Sequence, residues 1–173
     1  MSKLTIITDS RENTPFTFEG EDVENERRGL DVGDYTLAGF ENRIVIERKT
    51  LNDYLSSITH TRKAFERELR QLRAFDVPIL MIETTWPELS LGMYGAREVH
   101  PSAALSSLMA FSMYYRVIPI LCGDHPTGSE LTERILRLYA RMIERDAKKL
   151  SGKNTDAKLD TRTGRRAGIE IDV

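Results

Sequence analysis

The stretch Gly33-Asp34-Tyr35-Thr36-Leu37-Ala38-Gly39-Phe40-Glu41-Asn42-Arg43-Ile44-Val45-Ile46-Glu47-Arg48-Lys49 decides the fold. Two short runs rich in β-branched and aromatic residues, 34–37 and 43–48, flank a connection around Gly39, Phe40, Glu41 and Asn42, which is the pattern of a β-hairpin. Side chains alternate faces along a strand, so Glu47 and Lys49 point one way and Arg48 the other. With Asp34 on the paired strand, its carboxylate can meet that of Glu47, and two carboxylates and a lysine share one small volume. Crowded like charges raise one another's pKa and weaken the fold. A divalent cation resolves the conflict, and Mg2+ or Mn2+ takes hard oxygen ligands while keeping positions open for water and phosphate. Lys49 in such a site would neutralise phosphate charge or orient the attacking water. The competing role is a plain salt bridge to Asp34 or Glu47, and Asp…Glu-x-Lys is too loose a pattern to separate the two by spacing alone.

Upstream, residues 3–8 read as a strand that delivers Asp9-Ser10-Arg11-Glu12 at its end. Asp9 there is placed either to supply a third carboxylate or to form a turn. Asp53 opens the next helix, as an accessory carboxylate or as a cap. The acidic residues Glu19, Glu21, Asp22, Glu24 and Glu26 read as a solvated loop.

From about residue 50 to 75 the period becomes helical, with Phe65, Leu69 and Leu72 on one side and Arg62, Lys63, Arg67, Arg70 and Arg73 elsewhere on the cylinder. These cations outnumber Glu66 and Glu68, so this helix is either a phosphate-contacting surface, which positions a duplex without reading its sequence, or an ordinary solvated face.

Residues 77–84 and 117–122 read as buried strands, the parallel and doubly covered part of a sheet. Pro101 starts a helix over 103–115, apolar nearly all round through Leu105, Leu108, Met109, Phe111 and Met113. It needs cover from its own sheet or from a second copy of the chain. Ser129 reads as the cap of a last helix with a Leu131, Ile135, Leu138, Met142 stripe. Residues 151–156 read as a linker into a polar tail, 151–173, in which Ile169 and Ile171 are the residues able to dock. The order of elements makes an α/β protein, a mixed central sheet flanked by helices, with one domain over residues 1–150.

Composition narrows the setting. At 173 residues the chain is sized for a single domain. Its 25 Lys+Arg against 27 Asp+Glu argue against coating nucleic acid by bulk charge, so a polyanion site must be built from particular residues. No apolar run approaches the roughly 20 residues that cross a bilayer, and the N-terminus lacks a secretory apolar segment. The lone Cys122 forms no internal disulfide. The expectation is a cytoplasmic, reducing environment and no membrane partner. His60, His100 and His125 lack zinc-ligand spacing, and no phosphate-cradling loop of the ATPase kind is present.

Gly33-Asp34…Glu47-Arg48-Lys49-Thr50-Leu51-Asn52-Asp53 resembles the signature of the XPF-type structure-specific endonucleases: glycine-aspartate, a gap, glutamate-arginine-lysine, three residues and aspartate. Asp9-Ser10-Arg11-Glu12 is similar to the Asp-x-Arg-Glu that opens the same nuclease domain. The resemblance covers roughly residues 3–145. It implies a restriction-endonuclease-like core, dependence on Mg2+ or Mn2+, and incision of duplex DNA near branches, flaps or forks. It further implies Asp34 and Glu47 as metal ligands with Asp9 as the third, and Lys49 as the catalytic lysine. Arg48 and Arg11 become phosphate or structural partners, and Asp53 and Glu12 accessory acids. Arg62, with Lys63, Arg67 and Arg70, would face DNA, although His60-Thr61-Arg62 lacks the family's glycine before the arginine. The residues after Leu150 are too few for the tandem helix-hairpin-helix module of cellular members, so a stand-alone prokaryotic or viral nuclease is expected, dimerising through this domain. The alternatives are a catalytically silent DNA-binding or scaffold subunit and a sequence-specific restriction endonuclease on the same core.

Overall fold

Gly33 sets the geometry of the centre of the sheet. Its φ of +77° and a built Cβ that would fall 2.2 Å from Val45 Cγ2 leave room for no side chain, so the backbone can pass close over the neighbouring strand. Asp34 then donates its N–H to Ile46 O at 2.9 Å, and its own carbonyl accepts from Asp9 N at 2.8 Å.

The computed structural model describes residues 3–94 and 99–160. The elements run β1 (Leu4–Asp9), β2 (Val23–Arg28), β3 (Tyr35–Leu37), β4 (Ile44–Thr50), α1 (Leu51–Thr59), α2 (Arg62–Leu72), β5 (Val77–Glu83), α3 (Trp86–Leu91), α4 (Pro101–Tyr115), β6 (Ile118–Leu121) and α5 (His125–Asp160). The sheet has the order β2-β1-β3-β4-β5-β6. β3 pairs antiparallel with both β1 and β4, Tyr35 opposite Ile46, which is the expected hairpin. β4, β5 and β6 run parallel, and β2 runs parallel to β1. The mixed sheet with flanking helices is the restriction-endonuclease-like α/β core expected from the sequence.

The chain divides into two compact units, Met1–Leu136 and Arg137–Val173. In the first, Val45, Leu80 and Ile82 of the sheet pack with Tyr54, Phe65, Leu69, Leu108 and Phe111 from α1, α2 and α4. Tyr54 Oη donates to Ala104 O at 2.7 Å, so the buried hydroxyl of this core is satisfied. The second unit is helical as far as Asp160.

Several local readings differ from the structure. Residues 23–28 are the edge strand β2 and not a loop; with five of its six side chains exposed, its charges are solvated and guard the open edge. The expected single helix over 50–75 breaks at His60 and Thr61, where Thr59 Oγ1 donates to Leu55 O and the Thr61 N–H turns back to Ser56 O.

β6 is an exposed edge and not doubly covered. Trp86–Leu91 is a short helix held by a Thr85–Glu88 capping box. α5 starts at His125, so Ser129 lies inside it and donates to Thr17 O instead of capping. It also runs on through residues 151–156, which contain no proline to stop it, although only Lys153 among them is a strong helix former.

The buried side of the first turns of α5 is Gly128, Ser129, Thr132 and Leu136, while Leu131 and Ile135 are half-buried. Close approach selects these small residues: a Cβ on Gly128 would sit 2.6 Å from Phe16 Cζ. Ile169 and Ile171 lie outside the described residues.

Candidate active site

Four elements open onto one cleft of about 580 Å3, lined by Asp9 at the end of β1 with Arg11 and Glu12 just after it, Gly33 and Asp34 before β3, Glu47 and Lys49 on β4, and Arg67 and Glu68 on α2. Strand alternation puts Glu47 and Lys49 on this side and sends Arg48 to the other face, as the sequence required.

Asp34 Oδ2 accepts the Arg48 N–H at 2.7 Å, a backbone bond that orients the carboxylate toward β4. Burial raises the Asp34 carboxyl from 3.8 to about 6, and Glu12 and Glu68 add to the rise. Glu47, 5% exposed, is pushed well above the ordinary carboxylate range by burial first and by the Asp34 charge second. Two carboxylates thus face one cleft with too little positive charge to keep both comfortably ionised.

Lys49 is the nearest compensation. Its Nζ stands 2.9 Å from Glu47 Oε1 and 3.2 Å from Glu68 Oε2, and 4.8 Å over the Phe65 ring. Burial works against its charge, yet Glu47 and Glu68 hold it protonated above the usual lysine range.

Asp9 differs from this pair. Its Oδ1 accepts from Arg11 N and Arg11 Nε, and its Oδ2 from Arg11 Nη2 and Leu30 N, all between 2.7 and 2.9 Å. The Arg11 guanidinium, against the cost of burial, lowers the Asp9 carboxyl to about 2. Asp9 therefore pins Arg11 at the cleft mouth with all four acceptor positions filled, a different environment from that of Asp34 and Glu47.

Several predicted residues lie apart from the cleft. Arg48 Nε donates to Glu83 Oε1 at 2.8 Å and its Nη1 to Glu12 Oε1 at 2.9 Å. The same guanidinium stacks over Phe16, and its Nη2 lies 3.1 Å from His125 Nδ1. It ties β4 to β5, to the segment after β1 and to the start of α5, and it does not line the cleft.

Asp53 accepts from Thr50 Oγ1 at 2.6 Å, while the Asp53 N–H returns to Thr50 Oγ1: it is part of the α1 cap. On α2, Arg67 reaches the cleft, but Arg62, Lys63 and Arg70 do not line it. Arg62 and Arg70 share Glu66 and lie over Phe111 and Tyr115. A helix shows only one side to a cleft, and the fixed spacing Thr61, Ala64, Glu68, Gln71 marks that side.

Sequence reasoning missed Glu68 and Glu83. Glu68 sat among helix-face charges, and the period of α2 relative to Phe65 and Leu69 was the available signal. Glu83 closes a strand, and nothing in its neighbours announces Arg48. Among the described residues no group of three or more His, Cys, Asp or Glu side chains closes around a point. Asp34 and Glu47 are a two-carboxylate set, and their unbalanced charge suits a hard dication with open positions.

Comparisons with known proteins agree with this architecture. XPF from Aeropyrum pernix superposes with a TM-score of 0.61 at 18% identity, over 83% of this chain and 69% of that one. Its complex with DNA gives 0.62 at 19% identity, over 80% and 66%. A protein of Methanocaldococcus jannaschii named "Putative ATP-dependent RNA helicase" is 34% identical over 80 residues, which is 46% of this chain. The chain spans 10% of the length of that relative. The ERCC4 domain model matches residues 8–135, which include the cleft residues of β1, β4 and α2. The chain belongs to the ERCC4 domain family.

Proposed function

We propose that the chain is a Mg2+- or Mn2+-dependent DNA endonuclease that hydrolyses phosphodiester bonds near branches, flaps or forks. The observation that carries this reading is the meeting of Asp34, Glu47 and Lys49 in one cleft, where burial leaves the two carboxylates short of positive charge. Family membership and a structural neighbour solved with DNA support it.

Asp34 and Glu47 would hold the cation, and Glu12 lines the same cleft with one carboxylate oxygen engaged by Arg48. When bound, a divalent ion supplies Lewis-acid polarisation of a phosphate oxygen and eases deprotonation of a water. Lys49 presents its ammonium to the negative charge that develops on the phosphate. Asp9 acts by holding Arg11, whose guanidinium stands at the mouth beside the backbone of the substrate. Arg67 contacts a phosphate from the opposite wall.

The nuclease domain in this reading covers residues 1–150, with the polar segment 151–173 as an appendage. A second copy of the chain is the partner, through the exposed Met109, Met113 and Tyr114 of α4. No helix among the described residues is long and apolar enough to cross a membrane.

The test incubates the protein with Mg2+ or Mn2+ and labelled linear duplex, single-strand, flap, fork and splayed-arm DNA, beside an Asp34→Asn control. Cutting near junctions that disappears in the control is expected. Binding without products in any metal identifies a scaffold subunit, and sequence-fixed cutting of linear duplex identifies a restriction enzyme.

A further inference from the structure

We propose that Glu68 on α2 is a positioning residue that keeps the Lys49 ammonium in the cleft while a cation occupies Glu47. This rests on the nuclease reading above. Lys49 Nζ carries three donors, and two carboxylates from different elements take two of them: Glu47 on its own strand at 2.9 Å and Glu68 across the cleft at 3.2 Å. The two partners are not equivalent. Glu47 is buried and faces Asp34, so its oxygens are the ones a dication claims. Glu68 is at the rim, its side chain 36% exposed, and stands on the helix that carries Phe65 one turn earlier.

The ring of Phe65, 4.8 Å from the ammonium, and the Glu68 carboxylate therefore form a seat for Lys49 that owes nothing to Glu47. Without that seat, a lysine that is only 12% exposed would have a dication for a neighbour and one contested carboxylate for a partner. Glu66, two positions away, looks the other way and is shared by Arg62 and Arg70.

Mn2+ binding to the full chain without DNA, followed by electron paramagnetic resonance, separates the possibilities across wild type, Glu68→Gln, Glu68→Asp and Glu66→Gln. Glu68→Gln leaves cation and ammonium competing for Glu47, so its affinity falls by about tenfold. Glu68→Asp recovers most of the loss, and Glu66→Gln binds as wild type does. On flap DNA, Glu68→Gln lowers kcat with KM little changed. Wild-type Mn2+ affinity and kcat in Glu68→Gln overturn the proposal, as does an equal loss in Glu66→Gln, since that makes the effect one of helix charge alone. A wild-type protein that binds no Mn2+ and cuts nothing overturns both this proposal and the nuclease reading.

Discussion

Asp34→Asn should make the protein more stable at neutral pH. Burial moves the Asp34 carboxyl from 3.8 to about 6 in the folded chain. A carboxyl with a raised folded pKa binds its proton more tightly folded than unfolded, so its contribution to stability is present below the unfolded value and is lost as pH rises through about 6. At about 1.4 kcal/mol per unit, an ionised Asp34 opposes folding by about 2–3 kcal/mol above that pH. The amide oxygen of asparagine can keep the bond from the Arg48 N–H, so little is forfeited in exchange.

For a chain of this size, each kcal/mol moves Tm by about 2–4 °C, which sets the expected gain at several degrees. Thermal unfolding followed by circular dichroism, in EDTA, should show the variant above wild type at about pH 8 and level with it at about pH 4. Excess Mg2+ should then raise the wild type and leave the variant unmoved. A variant less stable than wild type at the higher pH, or a difference that does not change with pH, would refute the argument that these carboxylates are crowded.

Other residues report on other parts of the molecule. Arg48→Ala strands Glu83 and Glu12 without their cation and should cost about 3–5 kcal/mol in urea unfolding, far more than loss of an exposed arginine. Gly33→Ala must place a methyl against Val45 at positive φ, so a loss of at least about 1–3 kcal/mol is expected in the same assay. Arg67→Ala should lower the slope of log K for duplex DNA against log salt by about one in fluorescence anisotropy titrations, whereas Arg62→Ala, already neutralised by Glu66, should change it less.

The centre of the sheet was readable because its rules are local. An alternating strand and a short hairpin connection place Asp34 beside Glu47 without reference to the rest of the chain. The buried strand β5 was equally plain from its unbroken apolar run. What escaped depends on distant partners. Whether a charged run such as 23–28 pairs along β1 is decided by the sheet edge, which composition does not mark.

The break between α1 and α2 hangs on threonine hydroxyls that compete for backbone carbonyls, a contest that periodicity does not register. The buried side of the start of α5 is made of Gly128, Ser129 and Thr132, because Phe16 and Cys122 press against it. A search for large apolar residues passes over such a face. At the site, Arg48 and Lys49 are neighbours in sequence and opposites in space, and the alternation rule said so. That Arg48 would find Glu83 and His125 required the fold.

The most direct measurement is a crystal soaked in Mn2+ and recorded at the manganese absorption edge. The account predicts an anomalous peak in the cleft, ligated by the carboxylates of Asp34 and Glu47, with Lys49 turned toward Glu68. A cleft without manganese, or manganese bound elsewhere with Asp34 and Glu47 turned apart, would contradict it.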